Sequence, residues 1–182
     1  MSSRDTKTEI LEAAAQVVLT DGVAGLTLEA VAKAAGLSKG GLLYHYGSKE
    51  ALLSAMVERL VEVTEQRIAA SRKTDAPPGD WLRGYLRACS VEGLPESDPV
   101  GRLAVALLAA GALDPALLEP LRARQAVWRE ELLRDGIDPA MAWIVRLAAD
   151  GLWMNDVFGL PVLTAEERRA VLDRLVVLTQ KR

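Results

Sequence analysis

Side chains that carry chemistry are scarce in this chain. Cys89 is the only cysteine and His45 the only histidine, so no internal disulfide can form and a thiolate or Cys/His zinc site lacks its ligands. There is no Gly-rich phosphate loop and no serine-nucleophile elbow of the kind a strand feeds into a helix. The carboxylates are scattered at positions that suit helix caps and solvated faces. The expectation is therefore a non-enzyme with no catalytic residue, no metal ligand and no cofactor. No apolar run reaches the ~18–20 residues of a membrane span. The first ten residues, with Arg4, Asp5, Lys7 and Glu9, lack the apolar core of a signal peptide. The expected location is the cytoplasm, with no membrane partner. Internal repeats and low-complexity segments are also missing.

What remains is a helix former's alphabet. Half of the 182 residues are hydrophobic, mostly Leu, Ala and Val, which is enough to bury a substantial core in one large or two small domains. The formal charge of −3 gives no hint of a nucleic-acid partner and by itself argues mildly against one.

Helix starts and stops are legible along the chain. Thr6 with Glu9 makes a capping box ahead of Ile10, Leu11, Ala14, Val17 and Val18, with Gly22 as the stop. Thr27 caps a short helix with Leu28, Val31, Ala32 and Ala35 on one face, and Gly36 turns the chain. Ser38 opens a third helix that ends at Gly47. Ser48 then caps a long fourth helix, 48–71, carrying Leu52, Leu53, Met56, Val57, Leu60, Val61 and Ile68. At ~1.5 Å per residue that helix spans roughly 35 Å, long enough to join two domains.

Pro77, Pro78 and Gly79 make the clearest break, and a helix from Trp81 to Gly93 follows, with a loop through Pro95. Asp98-Pro99, Asp114-Pro115 and Asp138-Pro139 each set a capping carboxylate before a first-turn proline. With Gly111, Gly136 and Gly159 as stops they predict helices over about 99–110, 115–135 and 139–158. A second capping box, Thr164 with Glu167, opens a final helix over 164–180. The fold class expected is all-α, with about nine helices and no strand.

Between Glu29 and Glu50 there is no acid, while Lys33, Lys39 and Lys49 supply positive charge and His45 a possible donor. A helix-turn-helix needs a small residue between helices and a recognition helix thin enough at its N-terminal half to enter a groove about 12 Å wide. Gly40 and Gly41 supply that thinness, at roughly 1 kcal/mol each against Ala in a helix interior. A distorted turn is the other reading of the two glycines. Lys39 can reach a guanine edge or a phosphate and Leu43 a thymine methyl. Ser48 and Lys49 sit at a helix N-terminus, where amides and dipole favour a phosphate.

The run Ser38-Lys39-Gly40-Gly41-Leu42-Leu43-Tyr44-His45-Tyr46-Gly47-Ser48-Lys49-Glu50-Ala51-Leu52-Leu53, preceded by Gly25-Leu26-Thr27 and Val31-Ala32, resembles the DNA-binding domain of the TetR-type (tetracycline-repressor-like) transcriptional regulators over roughly residues 6–55. The resemblance implies that Thr27, Tyr44, His45 and Lys49 meet the sugar-phosphate backbone. It implies an N-terminal three-helix helix-turn-helix domain, residues 1–50. The fourth helix would join it to a C-terminal helical domain, residues 51–182, for effector binding and dimerisation. This chain departs from the family pattern at Leu43, where the family usually has Tyr, and at Tyr46, where it usually has Phe. The first exchange removes a hydroxyl that commonly contacts phosphate.

In the second half, helix 139–158 is apolar around more of its circumference than a surface helix should be, with Met141, Ile144, Val145, Ala148, Leu152, Trp153 and Val157. With helix 164–180 it forms the expected homodimer contact, two helices from each subunit. A twofold dimer also suits palindromic double-stranded operator DNA with half-sites about 34 Å apart. Trp81, Trp128, Asp150, Trp153 and Asn155 are the candidate lining of a small-molecule pocket, against the alternative that the Trp residues only pack. Asp150 beside Gly151 in an apolar helix needs a partner, and Arg146, one turn earlier, is the nearest. The function expected is a DNA-binding regulator, a repressor released by a small, largely apolar effector. The alternatives are a ligand-independent DNA-binding dimer, or an all-helical binding protein or enzyme.

Overall fold

The structure is a computed structural model and describes residues 3–70, 72, 77–90, 99–160 and 162–180. Among them are nine α-helices and no strand: α1 (Ser3–Gly25), α2 (Leu28–Ala34), α3 (Lys39–His45), α4 (Lys49–Ala70), α5 (Asp80–Cys89), α6 (Pro99–Leu113), α7 (Glu119–Arg134), α8 (Pro139–Val157) and α9 (Ala165–Leu178). A short 3-10 helix, Pro115–Leu118, precedes α7.

Six of the predicted caps are made, at Thr27, Ser38, Ser48, Asp114, Asp138 and Thr164, and the one expected at Asp98 lies outside the described residues. Thr27 Oγ1 accepts the N–H of Ala30, Ser38 Oγ that of Gly41, Ser48 Oγ that of Ala51 and Asp138 Oδ1 that of Met141, at 2.9–3.1 Å. Thr164 and Glu167 complete the reciprocal box at the start of α9. Three boundaries differ from expectation. The helix expected over 115–135 opens as the 3-10 helix, and α7 begins only at Glu119. The first helix begins at Ser3, so Thr6 lies inside it, and the chain kinks at Gly22 (φ 71°, ψ 174°) before a last helical stretch to Gly25. Gly111 does not end α6, which continues to Leu113. A Cβ there would stand 2.3 Å from Leu118 Cγ, so this glycine allows the 3-10 helix to close onto α6 rather than stopping the chain. The expected stop at Gly93 and the loop through Pro95 lie outside the described residues.

The chain forms two compact units, Met1–Val61 with Pro99–Arg122, and Glu62–Asp98 with Ala123–Arg182. The first is held by one core: Ile10, Ala14, Val17 and Val18 of α1, Leu26, Val31 and Ala32 around α2, Leu42 and Tyr46 from α3, and Leu52, Leu53, Met56 and Val57 of α4. Leu107 of α6 and Leu117 of the 3-10 helix complete it, and Arg102 donates to the Leu19 carbonyl, just before the kink in α1 (3.4 Å). The first unit is therefore discontinuous in sequence. In the second unit, Asp135 caps α5 from the end of α7, its two oxygens accepting the N–H groups of Trp81 and Leu82 at 2.9 Å each. Arg83 bonds the Thr179 carbonyl and hydroxyl beyond α9 (3.2 and 3.3 Å). Arg168 of α9 grips Asp156 of α8 with two nitrogens.

Candidate functional site

In the first unit, α2 and α3 are joined across Gly36, whose φ of 66° is a left-handed conformation that glycine adopts without a Cβ clash. The α3 helix is held from below by Leu42 and Tyr46, both buried, which leaves Lys39, Gly40, Leu43 and Tyr44 on the outer face. Its first turn is Lys-Gly-Gly and contains no acid. That is a poor start for a helix, because a cation opposes the dipole and glycine carries extra chain entropy. Neither glycine has positive φ, which removes the distorted-turn reading. A Cβ at Gly40 would meet nothing within 4 Å, and one at Gly41 only the Ser38 hydroxyl at 3.3 Å. The chain's own packing does not demand glycine at Gly40.

Tyr44 is 85% exposed, with His45 edge-on to its ring at 5.2 Å. A large aromatic left in water gains nothing from folding and is available for docking. Thr27 and Ser38 each use an oxygen lone pair for their cap and keep a hydroxyl proton to donate outward. Two cations are already engaged. Lys39 is ion-paired to Glu29 of α2, and the Lys49 ammonium donates to the Val23 carbonyl at 3.0 Å, which ties the start of α4 to the end of α1. Gly36-Leu37-Ser38-Lys39-Gly40 has the spacing of a nucleophile elbow, but it follows a helix rather than a strand and the Ser38 oxygen is spent on its cap.

In the second unit, Trp81 and Trp128 are buried and line one cavity of about 250 Å³ together with Glu65, Ile68, Ala69, Arg72, Arg124 and Glu131. Half of that lining is charged, and the charges are paired: Arg124 with Glu65, and Arg72 with Glu131 at 3.5 Å. The Trp128 indole N–H also donates to Glu65 (3.3 Å). Asp150 accepts the Tyr85 hydroxyl at 2.5 Å, and its other oxygen stands 3.9 Å from Arg146 Nε, so the partner expected for Asp150 is present and Tyr85 is a second one. Arg146 is buried, donates to Gln125 at 2.5 Å and is surrounded by the rings of Trp81, Tyr85, Trp128 and Trp143.

Trp153 and Asn155 line neither the cavity nor this cluster. They lie half-buried further along α8, where the Asn155 carbonyl accepts the Leu160 N–H. Sequence reasoning missed Tyr85, Gln125 and the encircled position of Arg146; a lone buried Arg in an apolar helix was the available signal. Burial, with Asp150 adding to it, pushes the Cys89 thiol up to about 12, so this thiol stays protonated. No group of His, Cys, Asp and Glu among the described residues can hold a metal ion.

Comparison with known proteins agrees with both halves. The family model described as bacterial regulatory proteins, tetR family, matches residues 10–56. The model described as tetracyclin repressor-like, C-terminal domain, matches residues 79–180. The HTH-type transcriptional regulator LmrA of Bacillus subtilis is 30% identical over 152 residues, 78% of this chain and 79% of LmrA. A crystal structure of a TetR-family transcriptional regulator from Rhodococcus sp. shares the fold with a TM-score of 0.76 and 22% identity, over 98% of this chain and 100% of that one. The multidrug binding protein EbrR complexed with ethidium superposes with a TM-score of 0.70 and 27% identity, over 93% and 98% of the two chains.

Proposed function

The chain belongs to the TetR family of helix-turn-helix transcriptional regulators, and on that premise we propose that it is an operator-binding homodimer that represses transcription until a small effector releases it. The observation that carries the DNA reading is the first turn of α3. Lysine and two glycines weaken the helix there, and the open space beside Gly40 asks for no glycine on the protein's own account. Lys39 and Leu43 read base edges, Gly40 and Gly41 admit the groove wall, and Thr27, Ser38, Tyr44, His45 and Lys49 bind the phosphate backbone. For Lys49 this requires its ammonium to keep the Val23 carbonyl and add a phosphate, which three donors permit.

The dimer reading is supported by a seam on α8. Ile144, Leu147, Met154 and Phe158 are exposed apolar side chains, and with Gly151 they recur at alternating spacings of three and four residues, the pattern of a helix that packs along another. Val176 and Val177 add exposed apolar surface on α9. The account pairs α8 and α9 of one subunit with those of its partner.

The effector reading assigns residues 51–182 to ligand binding and dimerisation and residues 1–50 to DNA. An aromatic or apolar ligand body would stack against Trp81 and Trp128, with Asp150, bonded to the neighbouring Tyr85, as a polar partner; Trp153 and Asn155 lie outside this lining. Glu65, Ile68 and Ala69, at the end of α4, line the cavity, while Leu52, Leu53, Met56 and Val57, at its start, belong to the core of the first unit. A ligand that displaces the end of α4 biases the two recognition helices between a DNA-competent and an incompetent arrangement. A relative named as a multidrug binding protein and captured with ethidium supports a ligand-responsive role. The site of action is the cytoplasm, and no helix among the described residues is long and apolar enough to cross a membrane.

A gel-shift titration against the DNA flanking the protein's own coding region tests the reading. Sequence-selective retardation that survives excess unrelated duplex is expected; retardation that the unrelated duplex abolishes at every salt concentration overturns it.

A further inference from the structure

Four aromatic rings enclose one guanidinium. Arg146 Cζ lies 4.9 Å from the Tyr85 ring centroid, 5.7 Å from Trp128, 5.8 Å from Trp143 and 6.0 Å from Trp81, and the residue is 3% exposed. Two of these rings are tuned by carboxylates: the Tyr85 hydroxyl donates to Asp150 and the Trp128 indole N–H to Glu65. A ring whose O–H or N–H is bonded to an anion carries more electron density on its faces and attracts a cation more strongly. Rings at such distances around a positive charge form the arrangement that recognises quaternary ammonium groups. Here the charge is the chain's own.

Core stability does not require it. A buried charge must be desolvated, and an apolar side chain of similar length would fill the same space at least as well. The guanidinium is held by a hydrogen bond to the neutral side chain of Gln125 at 2.5 Å, not by a carboxylate. Its carboxylate partner Asp150 is 3.9 Å away, beyond hydrogen-bond distance, and 40% exposed. That places a counter-ion one helical turn along α8 on the way to solvent, a path that a long, flexible arginine can follow without losing its partner. The cavity of about 250 Å³ shares Trp81 and Trp128 with the cage.

We propose that this cage is the cation subsite of the effector pocket and that Arg146 is its resident occupant, displaced toward Asp150 and solvent when an organic cation with an aromatic or alkyl body enters. The proposal rests on the reading of residues 51–182 as an effector-binding domain, and it adds a rule of selection. Cations exchange with Arg146; neutral compounds of the same shape do not.

Isothermal titration of the full-length protein with benzyltrimethylammonium, and with its uncharged isostere neopentylbenzene, tests this. Arg146→Met removes the competing cation while keeping the volume filled. Benzyltrimethylammonium is expected to bind the variant roughly tenfold more tightly than the wild type, and neopentylbenzene to gain less than about threefold. Equal affinity of the cation for both proteins, an equal gain for both compounds, or no binding to either protein overturns the proposal. If the variant does not fold, the wild type decides. The Arg146 Nε–H resonance, displaced by the ring currents and assigned with Arg146→Lys, should move to the solvent-exposed position at saturating cation, and a resonance that stays in place overturns the exchange. Operator release followed in the same samples separates the two readings. Exchange without DNA release refutes the effector role and leaves the cage; release by the neutral compound, unaffected by Arg146→Met, refutes the cage alone.

Discussion

Lys39 at the start of α3 is ion-paired to Glu29 in the first turn of α2. Both side chains are more than half exposed, so the pair contributes little to stability, and its consequence lies in DNA binding. In the proposed complex Glu29 would compete with DNA for the one cation on the leading turn of α3 and would add a negative charge beside the phosphates. Glu29→Gln is expected to leave thermal stability essentially unchanged and to raise operator affinity by roughly three- to tenfold at low salt, less at high salt. Fluorescence anisotropy with a labelled duplex across a salt series checks this.

Gly40 separates stability from function. Since an added Cβ meets nothing within 4 Å, Gly40→Ala should stabilise the protein by up to about 1 kcal/mol, a rise of roughly 2–4 °C in Tm. The same methyl stands where the groove wall must come close, so operator affinity should fall at least about tenfold. Opposite signs in a thermal melt and an anisotropy titration are the expected outcome; a variant that binds normally would mean the glycine serves no contact.

Leu43 is where this recognition helix departs from its family. It is exposed on the outer face of α3. Leu43→Tyr should restore a phosphate-binding hydroxyl and strengthen operator binding by about 0.5–1.5 kcal/mol, the range of one hydrogen bond. An unchanged affinity would mean that the position only packs.

The helix starts of this protein were legible because their signals are local. Thr27, Ser38, Ser48, Asp138-Pro139 and the Thr164–Glu167 box each act within four residues, so a capping rule read along the chain finds them. Gly111 shows the limit. It has the appearance of a stop, and only Leu118, folded back against it, reveals a close contact instead. Membership of α6 in the first compact unit rests on Leu107 meeting residues nearly a hundred positions earlier, which no periodicity encodes. In the candidate effector site, Trp81, Trp128 and Asp150 stood out as residue types. Their organisation around Arg146 depends on Asp135 fixing the start of α5 from 54 residues away and on Tyr85 and Trp143 each reaching the same guanidinium.

The seam on α8 predicts the oligomer. Leu147 is 64% exposed and sits between Ile144 and Gly151 on the apolar stripe. Leu147→Glu should leave the helical circular-dichroism signal intact and shift light scattering from dimer to monomer at micromolar concentration. Operator affinity should drop by roughly two orders of magnitude or more as the second half-site contact is lost. A wild-type protein that scatters as a monomer would contradict the dimer outright.

Selection of binding sites from random duplex DNA by the purified wild-type protein tests the central claim most directly, because it asks for sequence recognition and twofold symmetry at once. The account predicts enrichment of an inverted repeat whose half-site centres lie about one helical turn, or a small multiple of it, apart. Enrichment of no common motif, or of a single unsymmetrical half-site alone, would contradict it.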